Sequence, residues 1–440
     1  MMKSNNCIFT ICAKNYVGLA QILEKSVLKY NKNVDFYIVV ADEYGKDGPV
    51  VNDKNILIAH EFLNIDEKLW TNMAFKYNLT EFCTCIKPFS IEYFFVQKGY
   101  DTVCYLDPDI YLFGDFSYIY EKLDKFLVVT APHITIPDYP YSGDTPDRGF
   151  LFNGISNFGF VGFKNSPKTL NVIRWWEDRL SKLCFGEMLW AVCTDQKWSD
   201  FFMAFFDYDE IFFSNNLGLN VAPWNYFERK VTKKGDTFYV ESRKGTSERM
   251  DKLVFCHFAG YNYKQLAEGK VDNKSRMRIS NLKSYQDIDE LVKIYVNEIH
   301  KNKDLFAKYL SLSYSYGTFS NGVKIEAFHR RLYNGLCVNF NFEGNPFVVD
   351  TDNSFYSLLK GKHLLPSSQN VNVDKMNPEN IDGFGKKLSL LYKGLRFFYK
   401  LIGYKNYVLF LQFIRRLSLY DINTFLLGKE FENQSLRMKE

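Results

Sequence analysis

The 440-residue sequence has no apolar stretch long enough to cross a bilayer, which takes about 20 consecutive apolar residues. It carries little net charge for its length: 55 Lys and Arg against 51 Asp and Glu leave +4, which argues against a chain-wide nucleic-acid binder. The opening Met1-Met2-Lys3-Ser4-Asn5-Asn6 runs into a strand-like segment too short for a signal-peptide core, and no small-residue cleavage site follows. Cysteines are nine, odd in number and scattered, and Cys83-Thr84-Cys85 has the wrong spacing for a zinc knuckle. Several lie in apolar runs, where a reduced thiol acts as a small hydrophobe, so a cytoplasmic protein is the expectation. Also missing is a Gly-rich phosphate cradle after the first strand, where Ala13-Lys14-Asn15-Tyr16 stands instead. That absence counts against a P-loop, a dinucleotide fingerprint and the Gly-rich loop of sugar nucleotidyltransferases.

What is present is an α/β pattern. The length exceeds what one core usually serves, so two domains, one larger, are expected. Cys7 to Cys12 and Asp35 to Asp42 are strand-like runs, and the residues between them, Tyr16 to Tyr30, have apolar side chains at helical spacing. This β-α-β order predicts a parallel sheet whose ligand-facing loops lie at the carboxyl ends of its strands. Further strands are predicted at 55–58, 127–133, 157–163 and 253–260, with helices at 91–97, 170–183 and 198–206. Residues 134–148, rich in Pro, Gly, Asp and Tyr, have the composition of an ordered functional loop.

The chemistry concentrates at Val103 to Phe113, an apolar run broken only by Asp107-Pro108-Asp109. Pro108 has no N–H for a sheet ladder, so it ends the pairing and holds both acids on one exposed bend. Two adjacent carboxylates need a cation, and hard oxygen ligands suit Mg²⁺ or Mn²⁺ with positions left open for phosphate oxygens. A solvated turn is the plainer alternative for such a tripeptide. His257, at the end of the last predicted strand, completes a metal shell only if that strand lies beside the acids. Lys87, ahead of Pro88 in an apolar neighbourhood, is either a snorkelling surface residue or a phosphate partner. Asp195 either caps the following helix or points into the pocket.

Past Tyr261 the composition changes. Residues 264–283 are polar and basic, 288–310 and 323–333 read as helices, and 364–385 is a linker rich in Pro, Asn, Ser and Asp. From Lys386 to Phe425, Leu, Tyr and Phe alternate with Lys and Arg. Such helices either attach to an anionic membrane surface or pack on the protein with a solvated basic face.

In chain order, several segments resemble those of glycosyltransferases of the GT-A fold, near the bacterial members of family 8. They are Thr10 to Tyr16, Thr84 to Phe89 with Lys87, Tyr105 to Asp109, Asn157 to Phe160, Thr194-Asp195-Gln196 and Cys256 to Gly260. Pro223-Trp224-Asn225 is similar to a Trp-Asn element of related transferases, whereas Tyr261-Asn262-Tyr263-Lys264 stands where family 8 has Lys-Pro-Trp. The resemblance implies a GT-A catalytic domain over residues 1–265, a Rossmann-like, mainly parallel sheet flanked by helices. After it come a helical extension (266–363), the linker and basic amphipathic helices (386–440). It implies sugar transfer from a nucleoside-diphosphate donor to an acceptor hydroxyl of a saccharide or lipid-linked acceptor, with retention at the reacting carbon, in bacterial surface polysaccharide or glycoconjugate synthesis. Asp107, Asp109 and His257 would hold Mn²⁺ or Mg²⁺, while Thr10, Asn15, Asp42, Lys87 and Asn157 would bind the donor. Asp195 and Gln196 would face the reacting carbon. The competing readings are a sugar nucleotidyltransferase and a noncatalytic carbohydrate- or membrane-surface-binding protein. Nucleic acid is not expected as a partner.

Overall fold

The computed structural model describes residues 5–43, 54–141, 147–245, 249–269, 285–350, 354–366 and 383–432. Most of the 264–283 segment, most of the 364–385 linker and part of the 134–148 loop therefore lie outside the described residues, as does the side chain of Lys264. The chain divides into two units, Met1–Ile65 with Leu79–Ser315, and Asp66–Asn78 with Tyr316–Glu440.

The first unit is built on strands β1 (Asn6–Cys12), β2 (Asp35–Val40), β3 (Ile56–Ile58), β4 (Thr102–Leu106), β5 (Ile110–Leu112), β6 (Val128–Pro132) and β7 (Ser156–Lys164). After two short strands, β8 (Gly186–Glu187) and β9 (Val192–Cys193), come β10 (Ile211–Phe213), β11 (Arg229–Lys234), β12 (Thr237–Ser242), β13 (Met250–Lys252) and β14 (Phe255–His257). Seven of them form one sheet in the order β10-β6-β7-β4-β1-β2-β3. Only β7 runs against its neighbours, pairing antiparallel with β4 and β6. The α/β class, mainly parallel sheet and helical C-terminal part read from the sequence are thus the observed ones.

The sheet is buried on both faces, as its unbroken apolar strands require: β4 and β7 hold no exposed residue. The helix Val17–Tyr30 covers one face with Val17, Ala20, Leu23 and Val27, which pack with Ile8, Ile38 and Leu106. The helix Pro167–Leu183 starts where Ser166 accepts the Thr169 N–H and proline takes the first helical position, whose N–H would be unpaired in any case. The antiparallel sheet β11-β12-β13 falls where the sequence reading assigns no element. Its strands are short, and β11, with three lysines and one arginine in six residues, offers only Val231 as an apolar signal. The predicted helix at 198–206 is a 3₁₀ turn, Lys197–Phe201, followed by the short helix Phe202–Phe205.

In the second unit, Asp66 caps the helix Glu67–Lys76 by accepting the Lys68 and Leu69 N–H groups. Phe75 of that helix joins Phe319, Leu332, Tyr333, Phe355 and Leu359 in a separate core. The sequence reading marks Arg330 only as part of a helix. Its guanidinium is buried, with Nη1 donating to the carbonyls of Phe75 and Tyr77 and Nη2 to that of Tyr316, so the buried charge is hydrogen-bonded.

Candidate functional site

The parallel strands end on one edge of the sheet, and the polar residues singled out above gather there. Asn15 follows β1, Asp42 follows β2 and Asp107 follows β4, while Asn157 opens the antiparallel β7 from the same edge. The run Val103 to Phe113 is not one strand. Pro108 stops the ladder after β4, the Ile110 N–H closes a turn onto the Asp107 carbonyl at 3.1 Å, and the chain resumes as β5 in a different sheet. Strand β5 pairs antiparallel with β14, placing His257 opposite Ile110. The Phe258 N–H then donates to the Asp109 carbonyl at 2.9 Å, and the Asp107 N–H to the Gly159 carbonyl at 2.8 Å.

This pairing brings His257 to the acids. Its Nε2 lies 3.0 Å from Asp109 Oδ1 and 3.6 Å from Asp107 Oδ2, and one ligand atom from each of the three side chains falls within 4.8 Å of the others. Each acid is also held from behind. The Tyr105 hydroxyl donates to Asp107 Oδ1 at 2.6 Å, and the Tyr263 hydroxyl lies 3.2 Å from Asp109 Oδ2 and 2.8 Å from the Phe258 carbonyl. Trp224 stands edge-on to the His257 ring at 5.1 Å. Burial disfavours charge on all three groups. For Asp109 the facing imidazolium outweighs burial and lowers its pKa; for Asp107 burial prevails, although Lys87 and His257 oppose it. Burial likewise disfavours the His257 imidazolium, but Asp109 and Asp107 together raise its pKa.

Two carboxylates and an imidazole nitrogen on one side of a small space suit a divalent cation. Gly159 keeps that space open. A Cβ there would stand 2.5 Å from His257 Cε1 and 2.7 Å from Asp107 Oδ2. The residues therefore fit a metal ion.

Lys87 begins the helix Lys87–Val96 and is buried rather than snorkelling. Its ammonium donates to the Phe158 carbonyl at 2.8 Å, pairs with the Asp195 carboxylate and sits 4.0 Å over the Tyr105 ring. Asp195 thus caps no helix; its other oxygen accepts from the Thr194 hydroxyl at 3.2 Å. Gln196 Oε1 accepts from Asn157 Nδ2 and the Phe158 N–H, and its Nε2 donates to the Asn153 carbonyl. Asn157 Oδ1 in turn accepts from the Gly159 N–H and from Asn220 Nδ2, both at 3.2 Å. Lys87, Asp195, Gln196 and Asn157 accordingly form one bonded floor beside the acids.

On the other side, Asp42 is buried and accepts from the Lys14 N–H at 2.8 Å and the Ser315 N–H at 3.0 Å. Burial raises its pKa against those bonds. Thr10 is fully enclosed in β1, and its hydroxyl, like Asn15 Oδ1, has no partner among the described residues.

No protein-family model and no curated protein sequence matches the chain. Solved structures do. The galactosyltransferase LgtC with donor and acceptor sugar analogs is 16% identical, with a TM-score of 0.34 over 58% of this chain and 87% of that one. A glycosyltransferase involved in glycosylating the major capsid of PBCV-1 is 11% identical, with a TM-score of 0.32 over 58% and 94%. The glycosyltransferase GlyE of Streptococcus pneumoniae, in its apo form, is 14% identical, with a TM-score of 0.27 over 49% and 47%.

Three contributors escaped the sequence reading as functional residues: Tyr105, Tyr263 and Asn220. Tyr105 on β4 stands two residues before Asp107, a spacing that places both side chains on one face, and this was the one available signal. Tyr263 and Asn220 lie 154 and 63 residues from their partners and leave no local trace.

Proposed function

We propose that the protein is a metal-dependent glycosyltransferase that moves a sugar from a nucleoside-diphosphate donor to an acceptor hydroxyl. The observation that carries this reading is the convergence of Asp107, Asp109 and His257 at the carboxyl edge of the sheet, with Gly159 leaving room for an ion. A divalent cation bound there supplies positive charge to the leaving diphosphate. The protein does the rest. Tyr105 and Tyr263 hold the acids in orientation, and pre-set charge of this kind is usually the largest catalytic term. Lys87, paired with Asp195 and bonded to the Phe158 carbonyl, fixes the backbone between Asn157 and Gly159. Asn157 and Gln196 present amide groups that can exchange their mutual bond for bonds to sugar hydroxyls. Asn15 and Asp42 occupy the edge suited to the nucleoside.

A cavity of about 570 Å³, lined by Arg148, Leu151, Phe152, Met188 and Lys197, includes neither the acids nor His257 in its walls. Its apolar walls and two cations suit the acceptor, in keeping with a saccharide on a lipid carrier and with surface polysaccharide synthesis. Retention at the reacting carbon, with Asp195 and Gln196 near it, is part of the proposal. The test is release of free nucleoside diphosphate from a panel of sugar nucleotides, with and without Mn²⁺. Metal-dependent release from one donor is expected. Synthesis of the sugar nucleotide from nucleoside triphosphate would point to a nucleotidyltransferase, and no turnover of any donor would leave a binding protein.

A further inference from the structure

The helix Phe384–Leu417 is broken at Gly403, where φ is 75° and ψ 169°, a backbone conformation that side chains rarely allow. Its two limbs fold back on each other, with Phe398 4.8 Å from Phe410 and Tyr399 5.4 Å from Tyr407 between ring centroids. Those contacts leave most of the apolar surface outside, and no residue of the helix is buried. Leu390, Phe397 and Leu401 are 72, 69 and 71% exposed, and their spacing of seven and four places them on one stripe of the first limb. Tyr404, 73% exposed, follows directly after the break. Apolar surface at this density marks an interaction site.

The charge on the same element has one sign. Lys386, Lys387, Lys393, Arg396, Lys400, Lys405, Arg415 and Arg416 are all exposed, and no Asp or Glu occurs between 384 and 417. Taking these eight from the 55 basic residues leaves the rest of the chain acidic by four. A second copy of the hairpin would set eight positive charges against eight with none to balance them. A nucleic acid would leave the leucine and phenylalanine stripe in water. An anionic lipid surface satisfies both: apolar side chains enter the acyl boundary, and long basic side chains reach back to the phosphates. No helix among the described residues is long and apolar enough to cross a membrane.

We infer that the hairpin 384–417 lies in the interface of an anionic phospholipid bilayer, with Leu390, Phe397, Leu401 and Tyr404 inserted and its lysines and arginines at the headgroups. This surface is independent of the glycosyl-transfer reading. Vesicle flotation of the full chain tests it, using phosphatidylcholine alone and mixed with phosphatidylglycerol. Partitioning at least tenfold stronger to the anionic vesicles is expected, weakening as salt rises. Replacing Lys386, Lys387, Lys393, Arg396 and Lys400 by Gln should reduce it tenfold or more. Ser at Leu390, Phe397 and Leu401 should abolish it, while the thermal midpoint stays as in the wild type because these side chains are already in water. In a Phe397→Trp variant the indole emission should shift to the blue only with anionic vesicles. Equal flotation with neutral vesicles, none with either, or an unshifted indole overturns the inference. So does a concentration-dependent dimer that the Ser variants break.

Discussion

Gly159→Ala is the most discriminating single change. The methyl group would lie 2.5 Å from His257 Cε1, 2.7 Å from Asp107 Oδ2 and 2.8 Å from Asn157 Oδ1. None of these neighbours is free to retreat. Asp107 is tied to Tyr105, Asn157 to the Gly159 N–H and Asn220, and His257 to the β5–β14 pairing. The methyl therefore has to displace two of the three metal-binding side chains, Asp107 and His257, together with Asn157. Overpacking of this kind costs about 1–3 kcal/mol. If the cost falls on the ligand set, cation affinity drops by about 5- to 150-fold. Mn²⁺ titration of the full chain, read by electron paramagnetic resonance of the free ion, measures this. Gly162→Ala is the control, because its methyl would meet Cys104 Sγ and Leu123 Cδ1 at 3.1 Å, inside the core and away from the ligands. It should lower the melting temperature and leave Mn²⁺ affinity alone. Wild-type Mn²⁺ binding by Gly159→Ala would refute the metal centre as built here.

Asp109→Ala should cut metal-dependent turnover by about 10²–10³-fold while circular dichroism and the melting temperature change little; undiminished turnover would remove the cation from the chemistry. Lys87→Met leaves the Asp195 carboxylate buried without its partner and should cost about 3–5 kcal/mol in urea unfolding, with much of that recovered in Lys87→Met/Asp195→Leu. An unchanged unfolding midpoint for Lys87→Met would show the pair to be unimportant. His133 is held neutral by burial, its pKa lowered to about 4 from 6.5, so between those values the unfolded chain binds the extra proton. Stability should accordingly fall as pH drops from about 6.5 to about 4, and His133→Gln should flatten that slope. An equal slope in both proteins would contradict the assignment.

Most of the central sheet was legible because strands such as β1, β4 and β7 are enclosed and therefore read as unbroken apolar runs, whereas the short, partly exposed β10 at its edge was not read as a strand. Cys7 to Cys12 and Asp35 to Val40 lie within a residue or two of their predicted bounds. The β11-β12-β13 sheet was not legible, because its strands run three to six residues and β11 is dominated by lysine and arginine, leaving few apolar residues to mark it. The Asp-Pro-Asp bend was readable from proline's missing N–H. That the chain then re-enters a second sheet was not, since the partner of β5 lies far along the sequence.

At the site, local chemistry named Asp107, Asp109 and His257 as candidates, and long-range pairing alone placed the imidazole against the acids. Lys87 had two open readings, surface or phosphate; burial removes the surface one, and only the tertiary structure shows its ammonium against the Asp195 carboxylate. The basic, acid-free composition of 384–417 was written in the sequence. The outward direction of its leucines and phenylalanines was not. A helical pattern records that apolar side chains share a stripe, whereas whether the stripe meets protein or water depends on what the rest of the chain packs against it.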